Sequence, residues 1–122
     1  MIVLLVDDDN DDIEVFEEVL HIVSREVVFL KAYNGLEALS LLDNIFPDYV
    51  FMDINMPMMN GIECLNEIRR RFPECTSKIV MYSTTKMPDT YRKCTQLGAS
   101  YLIKPDDYDS LKESIRNILQ RN

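Results

Sequence analysis

The chain has 122 residues, of which 47% are hydrophobic and 28% charged, and its net charge is −8. This length and composition are typical of one globular domain with its own core and leave little room for a second. The acidic balance argues against nonspecific binding to nucleic acid or to anionic membranes, because both need a basic face. No apolar stretch approaches the length of a membrane span and no signal peptide is visible, so we expect a cytoplasmic protein with its three cysteines reduced.

Short apolar runs alternate with helical patterns along the chain. The apolar runs predict buried strands at about 2–6, 26–31, 48–52, 78–82 and 100–103. Apolar residues at helical spacing predict helices at 11–24, 35–45, 60–72, 88–97 and 108–120. Asn34-Gly35 marks the start of the second helix, Pro73 ends the third, and Asp107 or Asp109 is the candidate cap of the fifth. The alternation predicts a parallel sheet with helices on both faces, in a single domain over 1–122 with no effector domain.

Ionisable residues follow three of these strands at the point where each strand ends. Asp7 and Asp8 come after the first strand, Asp53 after the third and Lys104 after the fifth. In an open parallel sheet, chemistry gathers at the carboxyl ends of the strands, so these side chains are expected to meet in one pocket. Such a pocket suits a divalent cation and a phosphoryl group, and the hard oxygen ligands favour Mg²⁺ or Mn²⁺.

The aspartate after the third strand is the candidate phosphoacceptor. A carboxylate such as that of Asp53 forms an acyl phosphate when the phosphoryl donor is activated. The negative charge on the transferred group must be balanced, here by a metal near Asp7 and Asp8 and by the ammonium of Lys104. The hydroxyl of Ser83, after the fourth strand, can donate a hydrogen bond to the same group. The acids at 9–12 are interpreted as solvated residues at a helix start, where the helix dipole favours them.

Taken in order, these motifs resemble the receiver domain of two-component response regulators over essentially all 122 residues. Val6-Asp7-Asp8 resembles the acidic pair of the family, and 52–57 with Gly61 resembles the phosphoacceptor strand and its loop. Lys104-Pro105 resembles the lysine of the family and the peptide bond that is cis in it. The resemblance implies a doubly wound, flavodoxin-like (βα)5 fold, with a five-stranded parallel sheet in the order 2-1-3-4-5.

The resemblance also implies a role for each site residue. Asp53 is then the phosphoacceptor and a metal ligand, Asp8 a direct ligand, Asp7 a ligand acting more through water, and Asn55 a ligand through its backbone carbonyl. The metal is implied to be Mg²⁺ or Mn²⁺. Lys104 and Ser83 are implied to assist the phosphoryl transfer. Ser83 and Tyr101 are implied to change conformation after it, as the switch residues. Thr84 departs from the small residue usual after the switch hydroxyl and could crowd the acyl phosphate.

The partners follow from the same resemblance. The phosphoryl donor is implied to be a sensor histidine kinase or a histidine phosphotransfer protein, and the domain is a phosphoacceptor with intrinsic autophosphatase activity rather than a classical enzyme. We expect a protein contact as output, either with a separate target or with a phosphorelay partner, through the surface formed by 86–97, 100–103 and 108–120. Neither DNA nor a membrane is an expected partner. The 86–120 face is also a candidate for weak homodimerisation.

Other functions remain open from the residues alone. Asp7, Asp9, Asp11 and Glu18 fall at positions of a calcium-binding loop over 7–18, although Asp12 stands where that loop needs glycine. A haloacid-dehalogenase-like phosphatase also uses a strand-end aspartate and Mg²⁺. That enzyme needs an acid two residues after the nucleophile, whereas this chain has an asparagine there. A flavodoxin-like redox protein would need a glycine- and hydroxyl-rich loop after the first strand, where this chain has aspartates.

Overall fold

The computed structural model describes residues 1–120, in which five strands alternate with five helices. The strands are β1 (Ile2–Val6), β2 (Val28–Ala32), β3 (Tyr49–Met52), β4 (Lys78–Ser83) and β5 (Ser100–Ile103). The helices are α1 (Asn10–Val23), α2 (Gly35–Leu42), α3 (Gly61–Arg71), α4 (Pro88–Gln96) and α5 (Tyr108–Leu119). All neighbouring strands pair in parallel, in the order β2-β1-β3-β4-β5. The predicted (βα)5 fold and its strand order are confirmed.

The sheet is buried on both faces, which is why its inner strands read as continuous apolar runs. Successive side chains of a strand point to opposite faces. Val3 and Leu5 of β1 therefore pack into one cluster together with apolar residues of α1 and α5. Leu4 and Val6 pack into a second cluster with residues of α2, α3 and α4. Because α1 packs on one face of the sheet and α3 on the other, the carboxyl edge of the sheet lies between these two helices.

Side-chain caps fix where the helices begin. Asp9 accepts hydrogen bonds from the first turn of α1, Asn34 caps α2, and Asn60 with Glu63 forms a capping box at α3. Asp107, one of the two predicted candidates, caps α5. None of the helices within residues 1–120 is long and apolar enough to cross a bilayer.

Two expectations about local geometry are wrong. Helix α2 ends at Leu42 rather than at 45, because the backbone turns after Asp43 and the Ile45 N–H bonds the Leu41 carbonyl from outside the helix. The Lys104-Pro105 peptide bond is trans, since residues 1–120 contain no cis peptide bond. A bond before proline prefers the trans form by only about 0.5–1 kcal/mol, so sequence alone does not fix the isomer. The remaining element bounds agree with the prediction to within about two residues.

Candidate functional site

Three carboxylates meet at the carboxyl edge of the sheet. Asp7 and Asp8 leave β1 and Asp53 leaves β3, and these two strands are neighbours. The Asp53 N–H donates to the Val6 carbonyl at 2.9 Å, which extends the strand pairing by one residue and fixes the position of Asp53. One carboxylate oxygen from each of the three aspartates lies within 4.8 Å of the others. Asp7 and Asp53 are buried whereas Asp8 is exposed, so the cluster opens to solvent on the Asp8 side.

The chemistry of this donor set fits a hard divalent cation. Burial raises the pKa of the Asp7 carboxyl, and hydrogen bonds from the Asp9 backbone and the Lys104 side chain only partly offset it. Two carboxylates about 4 Å apart at an effective dielectric of 20 repel by about 4 kcal/mol, which a bound cation would relieve. Mg²⁺ and Mn²⁺ take carboxylate and carbonyl oxygens together with water. Asp7, Asp8 and Asp53 therefore suit either ion.

The ammonium of Lys104 neutralises part of this charge. Its Nζ lies 2.9 Å from Asp7 Oδ2 and 3.4 Å from Asp53 Oδ2. Burial lowers the pKa of Lys104, but hydrogen bonds to Asp12 and Asp7 and the charge of Asp53 outweigh it and raise the pKa above its ordinary value. Nζ also lies 5.1 Å from the centre of the Tyr82 ring. The lysine therefore stays charged and is held at the mouth of the acidic cluster.

One partner of Lys104 was missed by the sequence analysis. Asp12, in the first turn of α1, accepts a hydrogen bond from Lys104 Nζ at 2.9 Å, whereas the sequence predicts only a solvated acid at a helix start. A signal was available: α1 follows β1 directly, so its first turn borders the same edge of the sheet. The neighbouring Asp9 and Asp11 do lie at the helix start, where Asp9 accepts from the Asp11 N–H.

The backbone around Asp53 is held closely. Asp53 Oδ1 accepts a hydrogen bond from the Asn55 N–H at 3.2 Å. The start of α3 lies against the same residue, because a Cβ added to Gly61 would stand 2.3 Å from the Asp53 carbonyl oxygen and 2.8 Å from Ile54 Cα. Only glycine allows this approach. The predicted Asp53–Gly61 motif thus has a packing reason in this chain.

A second group of contacts joins β4 to β5 through Thr85, which the sequence analysis did not single out. Ser83 is fully buried and its Oγ lies 3.4 Å from Thr85 Oγ1. Asn55 Nδ2 donates to the same Thr85 hydroxyl at 3.2 Å, and Tyr101 donates its hydroxyl to the Thr85 carbonyl at 2.7 Å. Thr84 is exposed. Both proposed switch residues, Ser83 and Tyr101, therefore contact one loop residue.

The calcium-loop alternative does not match this geometry. Asp9 caps α1, and Glu18 lies well along that helix, where it accepts a hydrogen bond from the Tyr108 hydroxyl at 3.3 Å. Within residues 1–120, the acidic, histidine and cysteine side chains close enough to share an ion form one group of three, Asp7, Asp8 and Asp53. The residues at 7–18 thus do not surround one position.

Comparison with known proteins identifies the family of this chain. The sequence model of the response regulator receiver domain matches residues 3–116, nearly the whole chain. The chain belongs to this family. Receiver domains are signalling domains of two-component systems, in which histidine kinases phosphorylate them, and they are not classical enzymes.

A curated relative supports the same family, and solved structures support the fold. The transcriptional regulatory protein DegU of Brevibacillus brevis is 32% identical over 115 residues, which cover 90% of this chain and 48% of DegU. The chain spans less than half the length of the curated relatives it matches. The phosphorylated cyanobacterial phytochrome response regulator RcpA superimposes with a TM-score of 0.86 at 25% identity, over 96% of this receiver and 89% of RcpA. The Mn²⁺-bound response regulator Rcp1 has a TM-score of 0.85 at 24% identity, over 98% and 92% of the two chains.

Proposed function

We propose that Asp53 is the phosphoacceptor of this receiver and that the transfer depends on Mg²⁺ or Mn²⁺. One observation carries the proposal: a buried aspartate lies within 4.8 Å of two further carboxylates and 3.4 Å from a lysine ammonium, at the edge of the sheet where solvent has access. The combination supplies a nucleophile, a cation site and a counter-charge for the transferred group. Phosphorylated RcpA and Mn²⁺-bound Rcp1 show a phosphorylated form and a bound metal in proteins of similar fold.

The ion would be held by Asp7, Asp8, Asp53 and the backbone carbonyl of Asn55. When bound, it supplies positive charge for the oxygens of the phosphoryl group. A carboxylate oxygen of Asp53 attacks phosphorus and forms the O–P bond of an acyl phosphate. The P–N bond of a phosphohistidine donor breaks, its electron pair stays on the imidazole nitrogen, and that nitrogen takes a proton from solvent. Lys104 would pair with the new oxygens, a role supported by the 3.4 Å between its Nζ and Asp53 Oδ2.

The acyl phosphate would then switch the far side of the domain. A phosphoryl group adds a charge of roughly −1.5 to −2 and strong acceptor oxygens. Ser83, at the end of the neighbouring strand β4, would donate to those oxygens, and Thr85 beside it already accepts a hydrogen bond from the hydroxyl of Tyr101. A movement of Ser83 toward Asp53 would therefore reach Tyr101 through Thr85. We also propose autophosphatase activity, because the cluster is exposed on the Asp8 side. A water oxygen would attack phosphorus, the O–P bond to Asp53 would break, and inorganic phosphate would leave with the Asp53 carboxylate restored.

The output we propose is a protein contact, made by a single receiver domain in the cytoplasm. The donor would be a sensor histidine kinase or a histidine phosphotransfer protein, and the target either a separate protein or a further phosphorelay partner. A groove of about 710 Å³ between α4 and β5 supports this, since its lining includes the exposed Met87, Tyr91 and Ile103. The same face is available for weak homodimerisation. The net charge of −8 opposes direct DNA binding.

The test is phosphorylation by acetyl phosphate with Mg²⁺, followed by mass spectrometry. The wild type should gain one phosphoryl group, Asp53→Asn should gain none, and the exposed control Asp43→Asn should behave as wild type. Chelation of the metal should prevent the reaction. Labelling of Asp53→Asn to the wild-type level would overturn the assignment, and steady hydrolysis of p-nitrophenyl phosphate would favour the phosphatase alternative.

A further inference from the structure

The carboxylate of Asp12 shares the ammonium of Lys104 with the acidic cluster. Lys104 Nζ lies 2.9 Å from Asp12 Oδ2, as close as it lies to Asp7 and closer than its 3.4 Å to Asp53. An ammonium group has three N–H donors and no acceptor. The three carboxylates therefore take up all three donors of the Lys104 ammonium group. The lysine is bound to α1 as well as to the acceptor site.

Asp12 differs from the other carboxylates in what it can offer a cation. The oxygens close enough to share an ion belong to Asp7, Asp8 and Asp53, and Asp12 is outside this group. Its side chain is 45% exposed, whereas that of Lys104 is 12% exposed. Asp12 thus adds a negative charge beside the site and occupies a donor of Lys104 without supplying a ligand. Negative charge there favours a cation and opposes an incoming phosphoryl group.

We infer that Asp12 is a positioning residue that restrains Lys104, an inference that rests on the proposed function of Asp53. The restraint weakens the affinity of the site for a phosphoryl group and strengthens its affinity for a divalent cation. The two effects have opposite signs. A variant that merely loosened the fold would weaken both kinds of binding. Measuring the affinities for a phosphoryl group and for a divalent cation together therefore distinguishes restraint of Lys104 from a purely structural role of Asp12.

The experiment compares Asp12→Asn with Asp11→Asn, which removes the same charge from an exposed neighbour, whereas the ion pairs of Lys104 are with Asp7, Asp12 and Asp53. Beryllium fluoride, a mimic of the acyl phosphate, is titrated at saturating Mg²⁺, and Mg²⁺ alone is titrated separately, both followed by NMR. Relative to Asp11→Asn, we expect Asp12→Asn to bind beryllium fluoride about threefold more tightly and Mg²⁺ about threefold more weakly, the size typical of a half-exposed ion pair. The difference should shrink at high salt, and Asp12→Glu should restore wild-type affinities.

Thermal unfolding establishes that each variant is folded, and Asp12→Ser supplies a second variant without the carboxylate. Equal affinities in Asp12→Asn and Asp11→Asn would overturn the inference and leave the role of Asp53 standing. So would a change of the same sign for both probes. A wild-type protein that binds no beryllium fluoride at saturating Mg²⁺ would overturn both proposals.

Discussion

Lys104 lies 51 residues after Asp53 in the sequence, yet its Nζ stands 3.4 Å from Asp53 Oδ2. The two residues leave strands that are not neighbours, since β4 lies between β3 and β5. The Lys104 N–H bonds the Ser83 carbonyl at 2.9 Å, which places the start of the lysine side chain beside the end of β4. The long side chain then reaches across Tyr82 to the acidic cluster. The parallel sheet thus brings a cation to a carboxylate that is distant in sequence.

Replacement of Lys104 by alanine should separate metal binding from phosphoryl transfer. Lys104 is not a metal ligand, so Lys104→Ala should retain Mg²⁺ binding in an NMR titration. Phosphorylation by acetyl phosphate should slow about 100-fold, the typical effect of removing one group that stabilises transition-state charge. The exposed Lys93→Ala is the matched control. An unchanged labelling rate in Lys104→Ala would show that the ammonium does not assist the transfer.

Much of the fold was predictable because its physical causes are local. The inner strands β1, β3 and β4 are buried on both faces, so they appear as short apolar runs, and the residue after each run lies at one edge of the sheet. That rule placed Asp7, Asp8, Asp53 and Lys104 together without knowledge of any contact. Capping residues such as Asn34 marked helix starts in the same way.

The contacts that were missed depend on tertiary geometry. Asp12 reaches Lys104 only because of where the first turn of α1 meets the sheet, and charge patterning along the chain does not encode that distance. Thr85 sits in a polar loop without periodicity, so nothing local distinguishes it from Thr84. Ile45 continues the apolar spacing of α2 although the chain has already turned, which extended the predicted helix too far.

Replacement of Gly61 should disturb the site more than replacement of Gly35. In Gly61→Ala the new Cβ would meet backbone atoms of Asp53 and Ile54, which cannot move aside, so we expect a loss of about 1–3 kcal/mol in the free energy of unfolding. In Gly35→Ala it would meet Met59 Sδ at 2.8 Å, part of a flexible side chain, so the loss should be smaller. Urea denaturation measures both. Equal losses would contradict this account.

Tyr82 should make the stability of the domain depend on pH in the alkaline range. Burial raises the pKa of the Tyr82 phenol to about 12, although the nearby charge of Lys104 works in the opposite direction. A raised pKa means that folding favours the protonated phenol. The stabilising contribution is therefore complete below pH 10, the pKa of an ordinary tyrosine, and is lost as the pH rises toward about 12.

The measurement is urea denaturation between pH 9 and pH 12, roughly the interval that spans both pKa values. The midpoint of the wild type should fall more steeply than that of Tyr82→Phe. The exposed Tyr33→Phe serves as the control and should follow the wild type. Parallel curves for the wild type and Tyr82→Phe would rule out a titration linked to unfolding at this position.

The three cysteines should differ in reactivity. Burial raises the pKa of the Cys64 thiol to about 12 and also raises that of Cys94, and both side chains are inaccessible. Because the thiolate is the reactive form, alkylation of the native protein with iodoacetamide should modify the half-buried Cys75 first. Peptide mapping by mass spectrometry gives the three rates, and all thiols should react in denaturant. Modification of native Cys64 as fast as Cys75 would contradict the burial argument.

Removal of the Tyr101 hydroxyl should uncouple the α4–β5 face from the phosphorylation site. That hydroxyl donates to the Thr85 carbonyl at 2.7 Å, while Thr85 in turn contacts Ser83 and Asn55. Tyr101→Phe deletes a hydrogen bond with a net contribution of about 0.5–1.5 kcal/mol and keeps the ring that packs on Tyr91. A modification at Asp53 can shift the α4–β5 face only through contacts that differ between the unmodified and the modified domain. Loss of the Tyr101–Thr85 hydrogen bond should therefore weaken the structural change at that face.

Amide NMR spectra with and without beryllium fluoride test the coupling. In the wild type, shifts should extend from Asp53 through 83–87 to α4 and β5. In Tyr101→Phe, the shifts around Asp53 should persist while those in α4 and β5 become smaller. The control is Tyr91→Phe, because the Tyr91 ring contacts Tyr101 from α4 but its hydroxyl takes no part in the Thr85 contacts. If shifts in α4 and β5 keep their full size in Tyr101→Phe, the signal does not pass through the hydroxyl. If wild-type shifts stay confined to the residues around Asp53, the domain does not switch this face at all.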